Sequence, residues 1–386
     1  MKNIAVFTGT RAEYSLLFFL LKSLKNDEGI NLQLFVGGSH LSHQFGHTID
    51  QIILDGFEVT QKLDFLLPSE SDNAVAKSLA LAITTASDAI VEHSPEAIVL
   101  LGDRYEALGV AQAAMLNRVP IVHIHGGEIT EGAYDDAIRH AISKLSHIHF
   151  TATEVYRQRV IQLGENPEHV FNVGAPGIDS IKQLSLLSRE ELSEQLDKKL
   201  LKPYFLVTYH PVTLSKNGAI DGLKSLLLAL ENFKAFQIII TYPNADCFGG
   251  EIIECLKRYA KQHQEQVILV KSLGQLRYLS AIKHAAAVVG NTSSGLIEVP
   301  SFNVPTVNIG HRQKGRIAGA SVIHCEDDFD AISCAIKKAI SSDFKNSITA
   351  MDNPYGNGGS SQAIFSKIKS IEFDGIIHKK FFNLSS

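Results

Sequence analysis

Short runs rich in valine, isoleucine and leucine recur along this chain, separated by amphipathic stretches long enough for a helix, and that alternation restricts the fold more than any other feature. Such a rhythm builds a parallel sheet with helices on its faces, because every parallel connection must cross over the sheet. Strands are predicted at residues 4–8, 32–36, 97–101, 121–125, 149–151 and 170–173. The stretch 12–25 reads as a helix whose Leu16, Leu17, Phe19, Leu20, Leu21 and Leu24 cover a broad apolar face. After the turn-prone Gly174-Ala175-Pro176-Gly177 the series restarts, with strands at 204–209, 237–241, 267–270, 287–289 and 306–309. A chain of 386 residues also exceeds the roughly 250–300 at which one hydrophobic core stops growing. The expectation is an α/β protein of two doubly wound domains, residues 1–174 and 175–365. A further helical pattern at 360–369 fits either of them.

Composition removes several function classes. Apolar residues make up 45% of the chain, enough for two cores and too many for intrinsic disorder. With 36 Lys and Arg against 41 Asp and Glu the net charge is −5, which argues against a nucleic-acid surface but leaves room for a local basic pocket. The longest apolar run, residues 16–21, is far short of the roughly 18 residues of a membrane span. The first residues lack a signal-peptide pattern, so a cytoplasmic protein without membrane or nucleic-acid partners is expected. Cys247, Cys255, Cys325 and Cys334 form no CxxC pair and read as reduced packing residues.

Open α/β sheets bind ligands at the carboxyl ends of their strands, so two facing domains are expected to share a cleft lined by those ends. The first strand runs into Thr8-Gly9-Thr10-Arg11, where a glycine turn and a guanidinium at a helix start suit an anion; the plainer reading is Thr10 as an N-cap and Arg11 in an ion pair. The pattern is neither GxGxxG nor a P-loop, so no dinucleotide cofactor is implied. Asp103 and Arg104 follow the next such strand. His123 and His125 alternate on another, ahead of Gly126-Gly127-Glu128, and strand alternation sends both imidazoles to one face. No third ligand at a metal-binding spacing follows the two histidines, so no metal is expected. Asp135 and Arg139 lie one turn apart on the next helix. So many ionisable groups at one rim point to proton-transfer chemistry. In the second half His210 and Asn244 close two strands, and Thr292, Ser293 and Ser294 make a hydroxyl-lined turn suited to a diphosphate. Glu298 is placed to accept sugar hydroxyls, and Arg312 lies in a cationic loop.

Taken together, GTRAEYSLL, GGSHLSHQFGHTI, LLGDRYEAL, HIHGGEITEGAYDDAIRHAISK, YHPVTL, YPNAD, GNTSSGLIEVP and IGHRQKGRIAGASVI resemble the hydrolysing UDP-N-acetylglucosamine 2-epimerases, in order from about residue 3 to residue 366. The resemblance implies two Rossmann-like domains in a glycosyltransferase-B arrangement. It also implies a C-terminal helix at about 366–386 returning to the first domain, an active site in the inter-domain cleft, no cofactor and a homodimer. The implied reaction takes UDP-N-acetylglucosamine and water to N-acetylmannosamine and UDP for sialic acid synthesis, through a 2-acetamidoglucal. By the same resemblance Arg11, Ser15, His40, Arg104, Glu128, Asn244, Thr292, Ser293, Ser294, Glu298 and Arg312 hold the nucleotide sugar, and Asp103, His125, Asp135, Arg139 and His210 carry the chemistry. Asp103 and His125 would share the C2 proton, Asp135 would orient or act on the water, and His210 would assist UDP departure. Where many relatives read HIEGGE this chain reads HIHGGE, and a protonated His125 reverses the charge of that glutamate.

The nearest rival is a relative acting on UDP-N,N′-diacetylbacillosamine for legionaminic acid synthesis, which shares these motifs. A glycosyltransferase of the same fold and a nucleotide-sugar sensor that binds without turnover are further alternatives.

Overall fold

The computed structural model describes residues 1–69, 71–131, 133–211, 218–243, 249–349 and 351–384, and in it the chain divides into two compact units. The first comprises Met1–Glu128, Asp135–Ser180 and Gly358–Ser386, and the second Ile129–Tyr134 and Ile181–Asn357. In the first unit β1 (Lys2–Thr8), α1 (Arg11–Lys25), β2 (Ile30–Gly37), α2 (Ile49–Leu54), β3 (Gln61–Leu63), α3 (Asp72–His93), β4 (Ala97–Leu101), α4 (Tyr105–Leu116) and β5 (Ile121–Ile124) lead to α5 (Asp135–Leu145). Then come β6 (Ile148–Thr151), α6 (Glu154–Gln162), β7 (Val170–Asn172) and α7 (Gly177–Gln183), which runs across the unit boundary. The seven strands pair in parallel in the order β3-β2-β1-β4-β5-β6-β7. The central strand β1 buries Ile4, Ala5, Val6 and Phe7 in succession, as a strand covered on both faces must.

The second unit holds α8 (Arg189–Gln195), β8 (Tyr204–Thr208), α9 (Gly218–Leu230), β9 (Gln237–Thr241), α10 (Gly249–Gln262), β10 (Val267–Val270), α11 (Gly274–His284), β11 (Ala287–Gly290) and the single turn α12 (Ser294–Ile297). It continues through β12 (Thr306–Ile309), β13 (Val322–Cys325), α13 (Phe329–Ile340) and α14 (Ser342–Ser347). Its six strands are again parallel, in the order β10-β9-β8-β11-β12-β13.

The last helix, α15 (Ser360–Ser370), packs Ile364 and Ile368 into the first unit's core beside Leu17, Leu21 and Leu24 of α1. Buried Asp179 fixes its start, accepting hydrogen bonds from the backbone N–H groups of Gly359 (2.5 Å), Ser360 (3.1 Å) and Ser361 (2.6 Å). That cap sets the unit boundaries at Ser180 and Gly358 instead of at residues 174 and 366. Among the described residues the chain after Ser370 is irregular and not the helix expected at about 366–386. It is tied down where Lys379 Nζ bonds both carboxylate oxygens of Glu165 at 2.9 Å and the Ser146 carbonyl at 2.7 Å.

Helix α3 is, among the described residues, the one helix long and apolar enough to cross a membrane, although the apolar-run count flagged no such segment. Its buried stripe, Ala74, Ser78, Ala82, Ala86 and Ile90, recurs at helical spacing. Gly109 of α4 comes so near that a Cβ there would lie 2.9 Å from the Ala82 methyl, so small residues on both helices permit their close approach.

Helix α1 begins with a capping box. Thr10 Oγ1 accepts from the Glu13 N–H (3.3 Å), while Glu13 Oε2 accepts from the N–H groups of Gly9 (2.8 Å) and Thr10 (2.9 Å). Burial, reinforced by the neighbouring Glu106 carboxylate, pushes the Glu13 pKa up to about 7, against the opposing pull of Arg104 and the two N–H groups. The native state therefore binds a proton that the unfolded chain, with an ordinary glutamate, releases above 4.5. Folding stability contributed here falls as pH rises from about 4.5 to about 7 and is level above that. Glu13→Gln keeps the acceptor oxygen and removes the titration. Its stability relative to the parent, measured by urea unfolding, should rise between pH 5 and pH 8 by up to about 3 kcal/mol; a pH-independent difference would show that Glu13 is not held protonated.

Candidate active site

The strand order of each sheet reverses direction at one place, between β1 and β4 in the first unit and between β8 and β11 in the second. The carboxyl ends flanking such a reversal are where doubly wound sheets bind ligands. In the first unit this brings the loop after β1 next to Gly102-Asp103-Arg104 after β4. The Gly9 and Thr10 N–H groups of the glycine turn are taken by Glu13, so the N-cap reading of Thr10 holds. Arg11 stands exposed at the first position of α1, with Ser15 one turn further on and partly buried. Arg104 lays its Nε against both oxygens of buried Glu106 (3.1 and 3.3 Å).

His40 stands apart from the role assigned to it. It is fully buried, with Nε2 3.0 Å from Thr8 Oγ1 and Nδ1 2.7 Å from Thr48 Oγ1, and burial pushes its pKa down to about 4. Both ring nitrogens are engaged inside the protein, so His40 braces the end of β1 and offers a substrate no ring nitrogen.

The exit from β5 departs from the alternation argument. The strand ends at Ile124, and His125 adopts φ +68, so His123 and His125 do not share a strand face. His123 is sealed in, with Nε2 2.8 Å from the Gly102 carbonyl and Nδ1 3.1 Å from Ser143 Oγ of α5. Burial pushes its pKa down to about 3, so it is a neutral brace between β5, the β4 exit and α5. His125 instead turns its Nδ1 to Glu128 Oε1, 2.5 Å away, and its own N–H bonds the Phe150 carbonyl at 2.9 Å.

Arg139 of α5 is 1% exposed and reaches three directions. Nη2 pairs with Asp103 Oδ2, Nη1 donates to the Glu128 carbonyl at 3.0 Å, and Asp136 Oδ1 lies 3.5 Å from Nη1. Its helical acidic neighbour is thus Asp136, three residues back, in addition to Asp135 at the first position of the helix. The structure therefore gathers Asp103, His125, Glu128 and Arg139 into one linked group, with Asp135 on the same helix as Arg139. Asp103 is 24% exposed, the most accessible member of its ion pair.

In the second unit Asn291 stitches the reversal together. Its Oδ1 accepts from the His210 N–H (2.7 Å), and its Nδ2 donates to the His210 carbonyl (2.9 Å). The approach is close enough that a Cβ on Gly290, at φ +144, would sit 1.9 Å from the Thr208 carbonyl oxygen. The Asn291 carbonyl in turn accepts from Arg312 Nη1 (3.1 Å) and Gln313 Nε2 (2.9 Å), which holds the cationic loop against the β11 exit. Thr292, Ser293 and Ser294 follow Asn291, but the helix they enter is only the single turn α12, and Glu298 caps its end. A single turn adds little dipole, so an anion here would be held mainly by Arg312 and hydroxyls. The Tyr278 hydroxyl sits among the side chains of Thr208, Thr292 and Ser294 and beside Glu298, and burial pushes its pKa up to about 12. Asn244 lies outside the described residues.

Glu13, Glu106, Asn291 and Tyr278 are among the residues of these sites not singled out from sequence. Glu13 had a readable signal, three positions after the capping Thr10. The other three act through tertiary contacts that no local spacing announces. Among the described residues no three His, Cys, Asp or Glu side chains converge as a metal site.

The chain is similar to known proteins along nearly its whole length. Residues 22–369 match the family described as UDP-N-acetylglucosamine 2-epimerase. The GDP/UDP-N,N′-diacetylbacillosamine 2-epimerase (hydrolyzing) of Campylobacter jejuni is 40% identical over 385 residues, 99% of each chain. Polysialic acid biosynthesis protein P7 of Escherichia coli is 40% identical over 357 residues, 92% of this chain and 90% of that one. The UDP-N,N′-diacetylbacillosamine 2-epimerase (hydrolyzing) of Legionella pneumophila is 34% identical over 380 residues, 98% of this chain and 99% of that one. Among solved structures, a UDP-GlcNAc 2-epimerase from Neisseria meningitidis bound to UDP-GlcNAc superposes with a TM-score of 0.81 at 19% identity, over 95% of this chain and 99% of that one. The shared fold, parallel sheets flanked by helices, is of the glycosyltransferase-B type. With its matches running nearly end to end, the chain belongs to the family of hydrolysing UDP-N-acetylglucosamine 2-epimerases.

Proposed function

We propose that this chain hydrolyses and epimerises a UDP-linked 2-acetamido sugar, and that the sugar is N,N′-diacetylbacillosamine. The sequence reading put UDP-N-acetylglucosamine first. The order is reversed here because two relatives aligned over nearly their whole length carry the diacetylated sugar in their names. UDP-N-acetylglucosamine, for sialic acid synthesis, is the second reading, favoured by the Escherichia coli relative named for polysialic acid.

The observation that carries the chemistry is the linked group built on Arg139, which keeps a carboxylate, Asp103, and an imidazole, His125, on neighbouring strand exits of one sheet. In the reaction the C2–H bond breaks, its electron pair becomes the C1=C2 double bond, and the C1–O pair leaves with UDP. Water then adds at C1 and a proton returns to C2 on the opposite face, so one UDP-sugar and one water give the 2-epimer and UDP. Two proton-exchanging groups are required, and Asp103 and His125 supply them, with Asp135 acting on the water. Charge developing on the departing UDP is met by Arg312, and His210, whose backbone Asn291 fixes, assists its departure. On this reading the first unit carries proton transfer and the second holds the nucleotide, and a homodimer is proposed on the resemblance alone.

Proton NMR of the purified protein in deuterated water, with each nucleotide sugar supplied separately, tests the proposal. UDP release with deuterium at C2 of the diacetylated product is expected. Turnover of UDP-N-acetylglucosamine alone would install the second reading, and turnover of neither would leave the transferase and sensor readings. Asp103→Asn should reduce turnover by on the order of 10²–10⁴-fold with UDP affinity intact. Arg312→Ala should raise the UDP dissociation constant by about 10-fold or more, read by calorimetry; an unchanged value would remove Arg312 from the site.

A further inference from the structure

We propose that Glu128 is a positioning residue for His125: its carboxylate takes the Nδ1–H and so leaves Nε2 as the nitrogen that removes the C2 proton. The proposal rests on the function proposed above and assigns Glu128 to the imidazole instead of to the nucleotide sugar.

The local backbone exists to make this pair. A positive φ at a non-glycine residue is uncommon, and it persists at His125 because the chain is pinned on both sides. The His125 N–H is held by Phe150, and the next two positions admit no side chain. A Cβ on Gly127, itself at φ +78, would lie 2.3 Å from the Tyr156 carbonyl oxygen; one on Gly126 would lie 2.9 Å from Ser143 Oγ and 3.2 Å from His123 Nδ1. This tight turn folds Glu128 back onto the residue three places before it. Arg159 of α6 fixes the Gly127 carbonyl and Arg139 the Glu128 carbonyl, so the backbone under the carboxylate is fastened twice. Glu128 itself is 2% exposed.

Chemistry then assigns the proton. An ionised carboxylate only accepts, so at 2.5 Å from Glu128 Oε1 the Nδ1 must be the donor, and a neutral imidazole then carries its lone pair on Nε2. His125 is 8% exposed, and its Nε2 is buried without a hydrogen-bond partner among the described residues. An acceptor in that state is costly and is retained where function needs it. The same pairing occurs between His149 and Glu165, and there too a ring nitrogen, Nδ1, is buried without a partner; but that histidine is wholly buried and its glutamate is taken up by Lys144 and Lys379, so the unpartnered nitrogen carries the argument only together with the place of His125 in the fold. His125 stands at a strand's carboxyl end, where Arg139 links its turn to Asp103. In the step the C2 proton passes to Nε2, the imidazolium keeps its Nδ1–H on Glu128, and the C–H electron pair forms the C1=C2 bond as UDP departs. The imidazolium returns its proton to solvent between turnovers. Among the described residues, the titratable and charged groups bound around this turn, which share in any pH dependence, include Glu128, Asp103, Arg139, Asp136 with its partner His140, and Arg159.

Three measurements test this. Nitrogen-15 NMR of histidine-labelled protein, with His125 assigned by the loss of its signals in His125→Gln, should show a protonated Nδ1 and a bare Nε2; a protonated Nε2 in the neutral ring overturns the proposal. That readout needs no turnover, so it stands apart from the outcome for the reaction, and it needs no variant at Glu128. Glu128→Gln should lower kcat by on the order of 10²-fold or more with KM little changed, and should move the acid limb of the kcat/KM profile to lower pH. A fold loss with an unmoved limb would mark a purely structural role. Finally, with His125→Glu in place no tautomer remains to be set, so adding Glu128→Gln should cost far less than it does in the parent. An equal loss in both backgrounds overturns the proposal.

Discussion

A guanidinium sealed inside a sheet domain must be neutralised where it stands, and meeting that requirement for Arg139 arranges the carboxyl edge of the first sheet. The charge is balanced by Asp103 from the β4 exit and Asp136 from its own helix, and a further N–H is satisfied by the Glu128 carbonyl beyond β5. Asp103 is therefore a scaffold group that also stays partly exposed, which is what the role proposed for it requires. Helix α5 reinforces the arrangement from the same face, since Ser143 holds His123, which in turn holds the Gly102 carbonyl just before Asp103. Three elements far apart in sequence are locked into one register by a cation and a neutral imidazole.

The second unit solves the equivalent problem without a buried charge. A primary amide, Asn291, bridges β11 to β8 by accepting from and donating to the backbone of His210, and its carbonyl receives Arg312 and Gln313. The difference fits the roles proposed for the two edges. An edge that exchanges protons needs carboxylates and an imidazole, which then require a buried counter-cation. An edge that meets a diphosphate needs cations and hydroxyls, so the group that aligns its strands is best left neutral.

Much of the architecture was legible because the strands of a parallel sheet are nearly continuous apolar runs. The bounds read at 97–101, 237–241, 267–270 and 306–309 are those of β4, β9, β10 and β12. The strands not read, β3 and β13, lie at sheet edges. There one side of the strand is unpaired, and Gln61-Lys62-Leu63 and Val322-Ile323-His324-Cys325 carry polar residues that blur the pattern. At the site, residue types singled out Asp103, His125 and Arg139, and the structure links them. The partnerships were not legible, because they depend on where β5 stops. Ending the strand one residue earlier than its pattern suggests converts a pair of same-face histidines into a brace, His123, and an imidazole turned toward Glu128, His125. His40 misled for a related reason: a histidine in a polar loop gives no sign that two threonines, one 32 positions away, will enclose it.

Charge counting explains why a histidine works in a position where carboxylate chemistry would otherwise be expected. With Glu128 ionised and His125 neutral, Asp103, Asp136 and Glu128 contribute three negative charges, and Arg139 and Arg159 two positive ones. The linked group thus carries one excess negative charge before proton transfer and none after the imidazole becomes imidazolium. In a poorly hydrated setting that change favours proton uptake from carbon, because the developing cation is met by an anion already in place and no solvent has to reorganise. A glutamate at the same position would begin the step with two excess negative charges against the same two arginines. The histidine therefore relieves crowding among carboxylates, and it does so only while Glu128 stays close enough to share the proton on Nδ1.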